Sequence, residues 1–332
     1  MRDHLIVREC PECAPDASRR QFLKTAGAAV VAVAGLGRLD PVFAADPLPR
    51  GTAVPPAETT VGRLYQSLTA EQRALVTFPF NDPRATHVSA NWHVAPKRIG
   101  EVFTEEQKRM IHEILRGVTS EEGYERFIRQ MLDDDNGFDR YSCAIFGTPE
   151  SGKFQWVMTG RHLTIRADGN SMEGVAFGGP MIYGHGETGN LKTNLFYYQT
   201  KAANEVFQAL DGRQREKALL DQPPAENAIQ LKPGQFAGIA VGELSRDQRA
   251  LVEKVMATLL APYREADVKE AMDAVKANGG IEQIHLSFYR SGDLGNDQEW
   301  DIWRLEGPTL VWHFRGAPHV HTWVNFRTRP VG

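Results

Sequence analysis

The apolar positions of the chain follow two periods. Leu251, Val252, Val255, Met256, Leu259 and Leu260 recur three and four apart, the spacing of an apolar stripe on one helix face. Four segments carry a start signal for such helices, at residues 68–72, 103–107, 210–214 and 244–248. Each places an apolar residue before Thr69, Thr104, Asp211 or Ser245 and a Gln three positions later. That spacing forms a capping box, in which the cap side chain and the Gln side chain each accept a backbone N–H of the other. At residues 143–147, 154–158 and 285–289 the content turns aromatic and β-branched, which predicts strands.

These elements recur at a fixed offset. The first two caps are 35 residues apart and the last two 34, with the second pair 142 and 141 residues after the first. Residues 154–158, the stretch 160–165 and a turn at Gly169 likewise parallel residues 300–303, the stretch 307–312 and Gly316. The prediction is an α+β fold of two pseudo-repeated halves, 61–199 and 200–328, each two helices followed by an antiparallel β-meander.

Residues 307–325 read as two strands joined at Arg315-Gly316-Ala317-Pro318. Side chains two apart on a strand share a face, so His319 and His321 project together as an imidazole pair of the kind that binds zinc, copper or iron. His313, out of phase with Leu310, Trp312 and Phe314, lies on the strand before the pair and is a third candidate ligand. His162, after Gly160-Arg161, shares a strand face with Thr164 and Arg166, and with Arg161 offers an anion clamp beside a ligand or proton carrier. Residues 178–189 are the most glycine-dense stretch, where a loop can bring His185 and Glu187 close to a ligand. The metal candidates are therefore His319, His321, His313, His162 and His185, with Arg161 and Glu187 as catalytic candidates. Residues 133–137 begin like a calcium loop but lack the distal Glu, and read as a solvated helix end.

The front of the chain changes where this chemistry is expected. Ser18-Arg19-Arg20-Gln21-Phe22-Leu23-Lys24 is a twin-arginine export motif, and the apolar run 25–36 is short of the roughly 20 residues a bilayer span needs. Residues 1–44 read as a signal peptide cleaved after Ala44, and 45–60 as a Pro-rich tether. The expected partners are the twin-arginine translocase, a signal peptidase and a small-molecule ligand, with no stable membrane insertion. The expected destination is the periplasm or the exterior. Of three cysteines, Cys10 and Cys13 leave with the signal, and Cys143 alone makes no internal disulfide. The remaining 32 basic and 37 acidic residues give a net charge of about −5, which offers no footprint for nucleic acid.

Two functions stay open on these residues. One is a His-liganded metalloprotein with hydrolytic or oxidative chemistry. The other is a non-catalytic exported module that binds a small molecule or carbohydrate, with some of Trp300, Trp303, Trp312 and Trp323 stacking on the ligand.

Gly160-Arg161-His162-Leu163, Phe177-Gly178-Gly179-Pro180 and Pro318-His319-Val320-His321-Thr322 together resemble a bacterial, often exported family known only as domain of unknown function 3500. The resemblance covers roughly residues 60–325 and implies no activity. Where that family closes on an Arg and an Asn-Asp-aromatic-Gly run, this chain has Trp323-Val324-Asn325-Phe326.

Overall fold

The computed structural model describes residues 56–187, 191–295 and 297–331. The signal peptide and most of the tether lie outside these residues. In chain order, Ala57–Ser67 (α1) and Ala70–Val76 (α2) lead into the short strand Thr77–Phe78 (β1). Residues 57–60, expected as tether, thus belong to a helix, and Ala57 and Thr60 are buried in it. Then come Ile99–Val102 (α3), Glu105–Gly117 (α4) and Glu121–Asp135 (α5), followed by strands Ser142–Thr148 (β2), Lys153–Gly160 (β3), Leu163–Ala167 (β4) and Met181–His185 (β5). The second part runs Tyr197–Ala209 (α6), Gly212–Ala218 (α7), Leu219–Leu220 (β6), Ile239–Ala240 (β7), Arg246–Leu260 (α8) and Glu265–Ala277 (α9). It closes with His285–Tyr289 (β8), Ile302–Glu306 (β9), Leu310–Arg315 (β10) and Val320–Phe326 (β11).

All four capping boxes form, at Thr69, Thr104, Asp211 and Ser245. Their glutamines also pair across the helices. Gln72 and Gln107 exchange side-chain amide bonds of 2.8 and 3.0 Å, and Gln214 and Gln248 exchange bonds of 3.1 and 2.7 Å.

The strands form a single mixed sheet in the order β1-β2-β3-β4-β5-β11-β10-β9-β8-β6, with β7 beside β8. Pairing is antiparallel except for β1 on β2 and β6 on β8. The class is therefore α+β, with a mostly antiparallel sheet. Both arms lead outward from the β5–β11 pair to a two-residue parallel strand. The helices are more numerous than the two per half expected.

One face of the sheet packs on helices. Tyr183 of β5 lies 6.2 Å from Phe127 of α5 and 4.8 Å from Phe196 (ring centroids), and Phe207 of α6 lies 4.9 Å from Phe288 of β8. The other face is covered by segments 79–98 and 221–238. Val88, Ala90, Ile229 and Leu231 pack there on Ile182, Val311 and Trp323. Coverage of both faces leaves β10 and β11 buried almost throughout, polar residues included. The stretch expected as a glycine-rich loop contains β5, a central strand that pairs with β4 and β11.

Candidate metal centre

β3 and β4 are joined by a two-residue hairpin, with Gly160 paired to Leu163. His162 thus sits in the turn and not on the strand, at φ 56°. Its backbone N–H donates to the Ala90 carbonyl at 2.7 Å, which ties the turn to the covering segment. On the neighbouring strands Gly184 pairs with His321, and Arg315 pairs with His321 from the other side. A Cβ on Gly184 would come within 2.1 Å of the Val320 carbonyl oxygen and 3.4 Å of Cβ of His162. Glycine there allows the two histidines to meet.

His162, His319 and His321 converge, each offering one ring nitrogen within 4.8 Å of the others. Nε2 of His319 and Nε2 of His321 are 3.0 Å apart. Four-coordinate bonds of about 2.0–2.1 Å separate ligand nitrogens by roughly 3.3 Å, so the pair is near ligating geometry. His162 and His321 are fully buried, and His319 is 5 % exposed.

A carboxylate backs two of the three rings. Nδ1 of His162 lies 2.8 Å from Oδ2 of Asp134, the penultimate residue of α5. Asp134 also accepts from Nε2 of Gln130 at 2.8 Å and from the Gly186 N–H at 2.7 Å. Nδ1 of His321 lies 3.2 and 3.3 Å from the two carboxylate oxygens of Glu226, which is ion-paired with Arg315 at 3.0 Å. A carboxylate on Nδ1 assigns the proton to that nitrogen, leaving the Nε2 lone pair for a ligand.

The surroundings favour neutral imidazoles. Burial, with His162 and Arg315 nearby, lowers the His319 pKa to about 3 and holds that of His321 well below the usual range. Burial works to raise Asp134, but hydrogen bonds from His162, Gln130 and Gly186 outweigh it and keep the carboxylate ionised. Three imidazoles gathered in this way are a donor set that suits zinc, copper or iron, and the trio could hold such an ion.

The other sequence candidates are not in this trio. His313 shares the face of Arg315 and His321 but is paired with Trp323, and its ring lies 6.4 Å from Tyr289. Burial first, then Arg304 and Arg315, lowers its pKa to about 3. His185 pairs with Val320, so strand alternation points it away from His321, and its Nε2 is 3.5 Å from Asp133. It lines a cavity of about 320 Å³ together with Arg161, Glu187, Asp133, Asp134 and Gly186. Glu187 accepts a hydrogen bond there from Thr193. Asp134 and Arg161 connect this cavity to the trio, one through His162 and the other through its charge acting on His319 and His321.

Three participants escaped the sequence reading: Asp134, Glu226 and Arg315. The reading of residues 133–137 as a solvated helix end is wrong for Asp134, whose side chain is 3 % exposed. Phe127, Gln130 and Met131 are buried on α5. Asp134 follows them at helical spacing, so its burial was readable from the stripe. Glu226 lies in an irregular segment with no periodic signal. Trp303, Trp312 and Trp323 are core residues, which leaves no stacking platform of those three. Among the described residues no helix is long and apolar enough to cross a membrane.

A family model described as "Protein of unknown function (DUF3500)" matches residues 51–329, and the chain belongs to this family. No curated protein and no solved structure matches it.

Proposed function

We propose that this family member is an exported metalloenzyme that holds one transition-metal ion on Nε2 of His162, His319 and His321 and performs hydrolysis. The observation that carries this reading is the gathering of the three rings together with two carboxylate–histidine contacts on Nδ1, Asp134 to His162 and Glu226 to His321. Hydrogen bonding on the far side of a ligand imidazole fixes both its tautomer and its orientation. Three protein ligands with a fourth position open are the pattern of catalytic rather than structural zinc sites. Bound there, the ion would supply a Lewis acid and acidify water to a pKa near 7.

The chain's own groups divide the remaining work. Asp134 and Glu226 position the ligands. Arg315 neutralises Glu226 and holds it in place. His185 and Glu187, in the adjoining cavity, are the candidates for moving a proton to or from a small-molecule substrate. Export by the twin-arginine translocase and removal of residues 1–44 by a signal peptidase would deliver the folded protein to the periplasm or beyond. Titration of chelator-treated protein with Zn²⁺ tests the centre, and saturation at one ion per chain is expected. A copper site would instead announce itself by a visible absorption band and an electron paramagnetic signal.

A further inference from the structure

The cavity beside the trio is lined by a cation, Arg161, whose Nε has no acceptor among the described residues. The carbonyl of Arg161 is fixed by Nε2 of Gln130 at 3.0 Å and by the Tyr141 hydroxyl at 2.7 Å. The backbone of the hairpin is therefore held while the guanidinium reaches the cavity that Asp134, His185 and Gly186 also line. Its Nε is buried and has no hydrogen-bond partner among the described residues. Leaving such a donor without an acceptor costs about 1–3 kcal/mol, more for a charged group.

The carboxylates around it are already engaged. Asp134 accepts from His162, Gln130 and Gly186. Asp133 is ion-paired with Arg129 at 2.7 Å, and Glu187 accepts from Thr193. Arg315, the other cation that acts on His319 and His321, is matched by Glu226. An ion on the three imidazoles would add two positive charges to that of Arg161, beside the carboxylates of Asp134 and Glu187. A planar guanidinium with paired N–H groups matches carboxylate and phosphate oxygens.

We infer that Arg161 binds an oxyanion, the carboxylate or phosphate end of the substrate, beside the open position of the His162–His319–His321 centre. This rests on the metal reading above. It makes the substrate an anionic small molecule, oriented by Arg161 with its reacting group toward the ion.

The test uses the full mature protein loaded with Co²⁺, whose visible spectrum reports ligands at the open position. Inorganic phosphate and acetate are titrated separately as probes. A saturable spectral change is expected with at least one of them, and the stronger binder tells whether the end group is a phosphate or a carboxylate. Arg161→Gln should retain Co²⁺ and lose affinity for that anion about tenfold or more, and Arg161→Lys should recover part of it. Unchanged anion affinity in cobalt-loaded Arg161→Gln, or no response to either anion in the parent, overturns the role of Arg161 and leaves the metal centre standing. Failure of the parent to take up Co²⁺ overturns both.

Discussion

Asp134 and His162 come from different elements, the last turn of α5 and the β3–β4 hairpin, yet Oδ2 and Nδ1 are 2.8 Å apart between two buried side chains. The carboxylate accepts the Nδ1 proton and so leaves Nε2 of His162 available as a ligand. Asp134→Asn removes the charge and can present an N–H to the same ring atom, which favours the wrong tautomer. It should weaken metal binding about 10–100-fold, as should Glu226→Gln. Both variants should keep the parent's helical circular dichroism, and competition with a metallochromic chelator reads the affinity. Parent-like affinity in both would show that the carboxylates do not position the ligands.

Gly186 gives a steric version of the same test. A methyl group there would lie 2.8 Å from Oδ1 of Asp134 and 3.3 Å from Cε1 of His162. Gly186→Ala should therefore displace the Asp134–His162 pair and lower metal affinity. Gly62→Ala is the control, because its new Cβ meets nothing within 4 Å in a helix interior. That change should stabilise the protein by about 0.5–1 kcal/mol and leave the metal untouched. Urea midpoints and chelator competition on the two variants separate the effects.

The buried histidines set an acid limit on stability. Burial lowers His112 to about 4 and His313 to about 3, whereas both titrate near 6.5 in an unfolded chain. Below pH 6.5 the unfolded chain binds protons that the native state refuses, so stability falls as pH falls. Each such histidine contributes a slope of about 1.4 kcal/mol per pH unit until its native pKa is reached. Urea midpoints should drop between pH 7 and 5, and His313→Gln should flatten the decline. A midpoint constant over that range would mean these rings are protonated in the native state.

Local signals in the sequence reached far into this fold. The four capping boxes were legible because cap and Gln sit three residues apart, and the β10–β11 hairpin because Gly316 and Pro318 punctuate two stretches of alternating apolar and polar residues. The partnership of Gln72 with Gln107 was not, since it depends on how two helices dock. His319 and His321 were read as neighbours on one strand; in fact His319 lies just before β11, and their Nε2 atoms still meet at 3.0 Å. Convergence of His162 on this pair depends on the β4-β5-β11 pairing across the sheet centre, which strand periodicity does not encode. Glu226 reaches His321 across 95 residues from an irregular segment, a contact without any local signature.

Export concerns residues outside those the structure describes. Changing Arg19 and Arg20 together to Lys should leave the precursor uncleaved in the cytoplasm, as read by fractionation and the mass of the mature chain. Normal processing after Ala44 in that variant would contradict the twin-arginine reading.

The most direct measurement is the metal content of protein exported by its native route and purified without added metal. Elemental analysis of the parent should find one zinc, copper or iron per chain, and His319→Ala/His321→Ala should lose it while keeping the parent's helical circular dichroism. His313→Gln, altered outside the trio, should retain it. Metal-free parent protein, or a double variant that keeps its metal, would contradict the centre proposed on His162, His319 and His321.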